Sequence, residues 1–224
     1  MQKHRQTTPE THSHIEHRIR DQFPALYITL VSVLIGLALA DLVSQARERM
    51  VLWPLELDAL RTWGELCGNL FSGLSCWIVY AHLGISRRRI PIIADSIIAF
   101  TLPLYLLILN SFVGVMPMWK WLYCASGFLA FSLATTIWNF HVMQQEKELA
   151  SFDRLGRATG YRLILLTGIP FYAVAGWADR NGYLSPLLET IVAWVPAPSA
   201  LMLGHLFLRD WQQAIAEAQP PEDI

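Results

Sequence analysis

Long apolar runs separated by short charged segments are the main pattern along this chain of 224 residues. A helix rises 1.5 Å per residue, so about 20 apolar residues are needed to cross roughly 30 Å of hydrocarbon. Six runs reach or approach that length, and none alternates polar and apolar residues as the strands of a membrane barrel do. We therefore predict an all-α integral membrane bundle of six transmembrane helices, at residues 23–45, 64–85, 90–116, 119–143, 161–178 and 186–208.

The two ends of the chain lack this apolar pattern. Residues 1–22 are polar and carry several histidines, and we expect a disordered cytoplasmic segment there. Residues 209–224 form an acidic tail, which we also expect in the cytoplasm. Residues 23–208 then make up a single transmembrane domain, because no connecting loop is long enough to hold a separate soluble domain.

The distribution of lysine and arginine orients the six predicted helices. With the N-terminus in the cytoplasm, only five of the 17 basic residues fall on the opposite side: Arg47, Arg49, Arg61, Lys120 and Arg180. Because cytoplasmic loops carry the excess of basic residues, both termini are predicted to be cytoplasmic. The chain contains no Asn-x-Ser/Thr sequon, which is compatible with a multi-pass protein of a bacterial inner membrane.

Composition agrees with a membrane protein and excludes several other classes. Hydrophobic residues make up 54% of the chain and charged residues 16%, against about 25% charged in an ordinary soluble domain. A net charge of −1 argues against a nucleic-acid partner. Three cysteines cannot close a disulfide framework, and no metal-finger spacing occurs. We expect no cofactor and no metal.

Three carboxylates lie near the outer ends of predicted helices: Asp41, Glu65 and Glu189. Together they would form an acidic vestibule that concentrates cations. The alternative is that they are hydrated, or paired with nearby arginines at positions 47, 49 and 61.

Four further ionisable residues lie toward the inner ends of the helices. Asp95 falls inside the hydrocarbon on the third helix, where its expected partners are His82 and the Arg87-Arg88-Arg89 turn. This arrangement suits either a proton or cation relay or a structural clamp between the second and third helices. His82, His141 and His205 share one depth near the cytoplasmic side. They are candidates for proton sensing, with helix capping and cofactor ligation as alternatives.

Prolines break three of the predicted helices. Each proline removes one backbone donor and frees the carbonyl four residues earlier. The breaks occur at Pro103, Pro170, Pro196 and Pro198. In a bilayer such breaks persist where they face protein or water, so they mark either a permeation path or simply kinked packing.

Two short segments carry a family likeness. Asp21 is preceded by Ile19-Arg20 and followed by Ile28-Thr29-Leu30 in the first helix, and the stretch 95–112 contains Leu102-Pro103-Leu104. These segments resemble the first and third helices of the lysosomal-type potassium channel family, which has six-helix bacterial members. In that family Phe-Ser precedes the aspartate, where this chain has Ile19-Arg20. The resemblance implies an oligomeric potassium-conducting bundle with its first helix nearest the pore.

The expected function is an oligomeric membrane protein that passes monovalent cations or protons. Ile28, Ile35 and Leu39 would form a hydrophobic constriction that gates by dewetting. The expected partners are the lipid bilayer and further copies of the chain. Two alternatives are a non-conducting structural or signalling subunit of a membrane complex, and a redox or lipid-modifying enzyme that uses the inner histidines. No catalytic residue is assigned, because no zincin or nucleophile-elbow motif occurs.

Overall fold

The computed structural model describes residues 9–49, 56–86, 93–115, 117–145 and 159–218. Within these ranges the chain forms helices joined by short turns and contains no strand. The helices are α1 (Pro9–Arg49), α2 (Leu57–Ser86), α3 (Ile93–Ser111), α4 (Trp119–Gln145), α5 (Thr159–Arg180), α6 (Pro186–Trp194) and α7 (Pro196–Ala218). The all-α prediction is therefore confirmed for the described part of the chain.

Three helical stretches of the described residues are long and apolar enough to cross a membrane. They are Ala25–Arg49 in α1, Trp119–Trp138 in α4 and Pro186–Arg209 across α6 and α7. Each coincides with a predicted transmembrane helix, so the assignment to a membrane is supported.

The first helix is longer than its apolar run. It begins at Pro9 and so extends into the segment 1–22 that we expected to be disordered, while residues 1–8 lie outside the described residues. Proline suits a first helical turn, because its missing N–H would have no partner there. With 41 residues, α1 is about 60 Å long, about twice the thickness of the hydrocarbon core.

The sixth apolar run folds as two helices rather than one. Ser185 caps the start of α6 by accepting a hydrogen bond from the Leu188 N–H, and Pro186 occupies the first turn. The run breaks at Val195, whose N–H bonds to the carbonyl of Val192, and Pro196 then begins α7. A proline cannot donate to the preceding turn, which explains the position of the break.

Helix α2 is the centre of the bundle and packs against α1, α3, α6 and α7, while α4 pairs with α5. Two glycines permit the close approach of α2 to the α6–α7 break. A Cβ atom on Gly64 would lie 2.9 Å from the backbone carbon of Ala193, and one on Gly68 would lie 2.9 Å from Pro196 Cβ. The Trp194 indole N–H also donates to the carbonyl of Leu60, at 2.9 Å. The absence of side chains at these two positions is what lets the helices meet backbone to backbone.

The contact at Gly64 can be tested with a matched pair of substitutions. We expect Gly64→Ala to lower the free energy of unfolding in detergent by about 1–3 kcal/mol, the usual cost of overpacking against atoms that cannot move. Gly36→Ala is the control, because a Cβ there meets no atom within 4 Å. It should leave stability unchanged or raise it slightly through helix propensity. Equal stability of the two variants would contradict the close packing of α2 against α6.

Candidate functional site

One end of the bundle collects most of the charged side chains that the structure describes. Helices α1, α3 and α5 end there, and α2, α4 and α6 begin there, because consecutive helices run in opposite directions. Contacts between these ends confirm the arrangement: the Thr190 hydroxyl of α6 donates to the Leu57 carbonyl of α2, at 3.2 Å. This is the end opposite to the N-terminus of the chain.

Arg61 is the centre of the charged group. Its Nη1 atom lies 3.1 Å from Glu189 Oε2 on α6 and 3.8 Å from Asp58 Oδ1 on its own helix. Its Nε atom lies 3.6 Å from Glu65 Oε1, one turn further along α2. The side chains of Arg61 and Glu65 are 3% and 0% exposed, against 12% for Glu189 and 60% for Asp58. We call these four residues the Arg61 cluster.

Glu65 connects α2 to the turn between α3 and α4 through a hydrogen bond. Its Oε2 atom accepts a hydrogen bond from the Gly114 N–H, at 2.5 Å. Gly114 has φ +65°, which favours glycine, and a Cβ there would lie 3.0 Å from Arg49 Cδ at the end of α1. The positive charge of Arg49 therefore lies close to the buried carboxylate of Glu65.

A pair of buried asparagines continues the polar face of α2 one turn below Glu65. Asn69 Nδ2 donates to Asn110 Oδ1 on α3 at 3.0 Å, and Asn110 Nδ2 donates to the Ala38 carbonyl on α1 at 2.8 Å. Arg61, Glu65 and Asn69 are spaced four residues apart, so they lie on one face of the helix. From Arg61 to Asn69 this face extends about 12 Å along the helix axis.

A second set of polar contacts lies beside the cluster, where α4 begins and α5 ends. Asp179 Oδ2 accepts a hydrogen bond from the Trp119 N–H at 2.6 Å, and its negative charge lies near that of Glu189. The charged groups of Lys120 and Arg180 lie 5.6 and 5.5 Å from the centre of the Trp119 ring. Cations at this distance from an indole ring are attracted by it.

The structure brings together two of the three carboxylates that we expected at the outer end. Glu65 and Glu189, which are 124 positions apart in the sequence, share the guanidinium of Arg61. Pairing with a nearby arginine was the alternative to an open acidic vestibule, and Arg61 provides it. Asp41 is half-buried on α1, and none of the described contacts joins it to the cluster.

The proposed hydrophobic constriction falls on helix positions that face the chain's own interior. Ile35 is 2% exposed and belongs to the core, while Leu39 packs against Gly73 of α2. Ile28 is half-buried. In a single chain, Ile35 therefore faces neighbouring helices and not a lumen between copies.

The expected inner site is described only in part. His82, Asp95 and His141 are helical positions, but their side chains lie outside the described residues. The side chain of His205 is exposed on α7. Among the described residues, no group of three or more His, Cys, Asp or Glu side chains is placed to hold a metal ion.

The predicted helix breaks have different surroundings. Pro103 is buried within α3, and Pro170 is exposed within α5. Pro196 separates α6 from α7 and contacts Gly68, while Pro198 is exposed in the first turn of α7. The break at Pro196 therefore lies against α2, the helix that carries Arg61 and Glu65.

Sequence reasoning did not identify Asn69, Asn110, Gly114 or Asp179. One signal was present in the sequence: an Arg-x-x-x-Glu-x-x-x-Asn pattern on α2 places three polar groups on one helix face. A second was Asn110, a polar residue in an apolar run, which must find a hydrogen-bond partner when it is buried.

The comparisons with known proteins identify no relative. No family model, no curated protein and no solved structure matches this chain.

Removing the charge of Arg61 is expected to destabilise the bundle strongly. In Arg61→Met the carboxylates of Glu65 and Glu189 remain buried without their cation, and breaking a buried pair in this way costs about 3–5 kcal/mol. Unfolding in detergent, followed by circular dichroism, measures the loss. Arg180→Met removes an exposed arginine and should cost less than about 1 kcal/mol. If the two variants unfold alike, the Arg61 cluster does not hold α2 to α6.

The Gly114 turn allows a second comparison, with Gly182 as the control. Both glycines have positive φ, +65° and +73°, so alanine at either position should cost about 1–2 kcal/mol of unfolding free energy. At Gly182 a Cβ meets nothing within 4 Å, whereas at Gly114 it also presses on Arg49 and Thr62. We expect Gly114→Ala to be the more destabilising variant, and the reverse order would contradict the packing of Arg49 on this turn.

Proposed function

We propose that this chain is a six-span membrane protein that passes protons or monovalent cations across the bilayer, with the Arg61 cluster as its ion site. The N-terminus faces the cytoplasm and the cluster faces the opposite side. Helices α2, α3 and α5 complete the six spans, because each points large apolar side chains away from the bundle. These side chains are Leu70, Leu74 and Trp77 on α2, Ile97, Phe100, Leu104 and Ile108 on α3, and Leu163, Leu166, Phe171, Val174 and Trp177 on α5.

The observation that carries the proposal is the sharing of one buried guanidinium by two carboxylates from different helices. Ionisable groups within a membrane bundle are costly, so their presence there is a functional hypothesis by default. Arg61 is within 4.0 Å of Asp58, Glu65 and Glu189, so the cluster has more negative than positive charges of its own. Arg49 reduces this excess without removing it.

An excess of negative charge at one end of the bundle favours the entry of cations. Asp58 is 60% exposed and provides the contact with the outer solution, while Glu65 is fully buried. A cation that reaches Glu65 competes with Arg61, and Arg61 keeps Glu189 as an alternative partner at 3.1 Å. The cluster can thus change its pairing while its arginine remains paired.

A second candidate function is a non-conducting subunit of a membrane complex. It is favoured by three contacts of charged side chains that join different elements. Arg61 joins α2 to α6, Glu65 joins α2 to the turn at Gly114, and Asp179 joins α5 to α4. Such contacts fix the end of a bundle whether or not an ion passes.

Ion flux in proteoliposomes distinguishes the two candidates. The purified chain is reconstituted and exposed separately to proton, sodium and potassium gradients. We expect flux of at least one of these ions, reduced to the level of empty liposomes in Glu65→Gln. Glutamine keeps an oxygen that accepts from the Gly114 N–H but loses the charge, so the fold is retained while the ion site is not.

Glu56→Gln is the matched control, since it makes the same change of glutamate to glutamine at an exposed position directly before α2, outside the Arg61 cluster. It should retain most of the flux. Equal flux in the wild type and Glu65→Gln would remove Glu65 from the pathway. No flux under any of the three gradients would favour the non-conducting subunit. Flux confined to potassium would support the likeness to the potassium channel family.

A further inference from the structure

Two buried oxygen atoms at the inner edge of the Arg61 cluster accept no hydrogen bond from the described residues. They are Glu65 Oε1 and Asn69 Oδ1. The residues are four apart on α2, a spacing that puts Cβ atoms about 5–6 Å apart on one helix face. A buried acceptor without a donor costs free energy, so a pair of them on the same face requires an explanation.

The neighbouring donors are already engaged elsewhere or are too distant. Arg61 Nε lies 3.6 Å from Glu65 Oε1, which is beyond a good hydrogen bond. The amide nitrogen of Asn69 donates to Asn110, and that of Asn110 donates to the Ala38 carbonyl. The Gly114 N–H is bonded to the other carboxylate oxygen, Oε2. Neither oxygen atom therefore has a hydrogen-bond donor among these neighbouring groups.

We propose that Glu65 and Asn69 form a proton-binding site, in which a proton on Glu65 Oε1 is held by a hydrogen bond to Asn69 Oδ1, directly or through one water molecule. Binding forms one O–H bond at Oε1 and neutralises the carboxylate, and release reverses the step with no other bond changed. The inference rests on the proposed function and names its ion as the proton.

The charged groups that face Glu65 come from several elements. Arg61 faces it from its own helix α2 and Arg49 from α1, and both oppose the binding of any further positive charge, a proton or a metal cation. Asp58 on α2 and Glu189 on α6, with Asp179 of α5 beside Glu189, supply negative charge on the outer side. Among the described side chains, α3 and the turn after it contribute neutral groups, the amide of Asn110 and the N–H at Gly114.

The number of ligands distinguishes the two ions, because an alkali cation needs several oxygen ligands in place of its hydration shell. Only two free acceptors are found on this face among the described residues, and the carbonyl of Ala38 is already hydrogen-bonded. A proton needs one base and one acceptor, and the Glu65–Asn69 pair supplies both. When Glu65 is protonated, Arg61 remains paired with Glu189, so its buried guanidinium keeps a negatively charged partner.

Infrared difference spectroscopy tests the site without relying on transport. The full chain is placed in lipid nanodiscs and titrated from roughly pH 9 to pH 5, and the spectrum of Glu65→Gln is subtracted from that of the wild type. We expect a carbonyl band of a protonated carboxylic acid that grows as the pH falls and is absent from the variant. No such band at any pH in this range would overturn the proposal.

Two further variants test the role of Asn69. In Asn69→Leu the protonated acid loses its acceptor, so its carbonyl band should move to higher wavenumber. In Asn110→Leu, which removes the neighbouring buried amide but keeps Asn69 Oδ1, the band should stay near its wild-type position. Equal band positions in both variants and the wild type would exclude Asn69 as the acceptor. If Asn69→Leu does not fold, Asn69→Gln, which keeps an amide oxygen and adds no second acid, should retain the titrating band.

The spectra separate failure of this site from failure of the proposed function. A titrating Glu65 band in a protein that passes no ion in liposomes keeps the proton site and rejects transport. Sodium or potassium flux without a Glu65 band keeps transport and rejects the proton site. A Glu65 band together with proton flux that is lost in Glu65→Gln supports both.

Discussion

The burial of the Arg61 guanidinium is the constraint on which the architecture of this end of the bundle depends. A buried charge costs several kcal/mol unless an opposite charge and hydrogen bonds compensate for it. Glu65 on the same helix provides part of that compensation, and Glu189 on α6 provides a hydrogen bond at 3.1 Å. Helices α2 and α6 must therefore pack together whenever Arg61 is buried, and the position of α6 relative to α2 follows from this one side chain.

Close approach between these helices is made possible by small residues and by a break in the chain. Gly64 allows the backbone of Ala193 to reach α2, and Gly68 accommodates Pro196. The break at Val195 lets α6 and α7 take separate directions, because Pro196 cannot continue the hydrogen bonds of α6. The glycines and the proline thus set a backbone geometry in which Glu189 reaches Arg61. Neither the ion pair nor the close packing would form without the other.

The helices could be predicted from the sequence, because each needs only a local apolar run. The partners within the site could not, since they depend on packing between distant segments. Asn69 and Asn110 are 41 positions apart, and Arg61 and Glu189 are 128 apart. The burial of Ile35 could not be predicted either. The apolar part of α1 has hydrophobic residues around its whole circumference, so the sequence does not indicate which of them face the core. Glu65 and Glu189 were recognisable because each is a carboxylate at the end of an apolar run, where it lies close to the hydrocarbon.

The hydrogen bonds around Glu65 also bear on whether the Arg61 cluster is only a structural clamp. A clamp is most stable when every buried donor and acceptor is satisfied, because a partly satisfied network is less stable than an apolar core. Asn110 meets that standard, because its amide oxygen accepts a hydrogen bond at 3.0 Å and its amide nitrogen donates one at 2.8 Å. On the neighbouring helix α2, Glu65 Oε1 and Asn69 Oδ1 do not. A clamp gains nothing from leaving these two oxygen atoms without a hydrogen bond, whereas a site that binds and releases a proton requires a base and an acceptor that lack a donor when the proton has left.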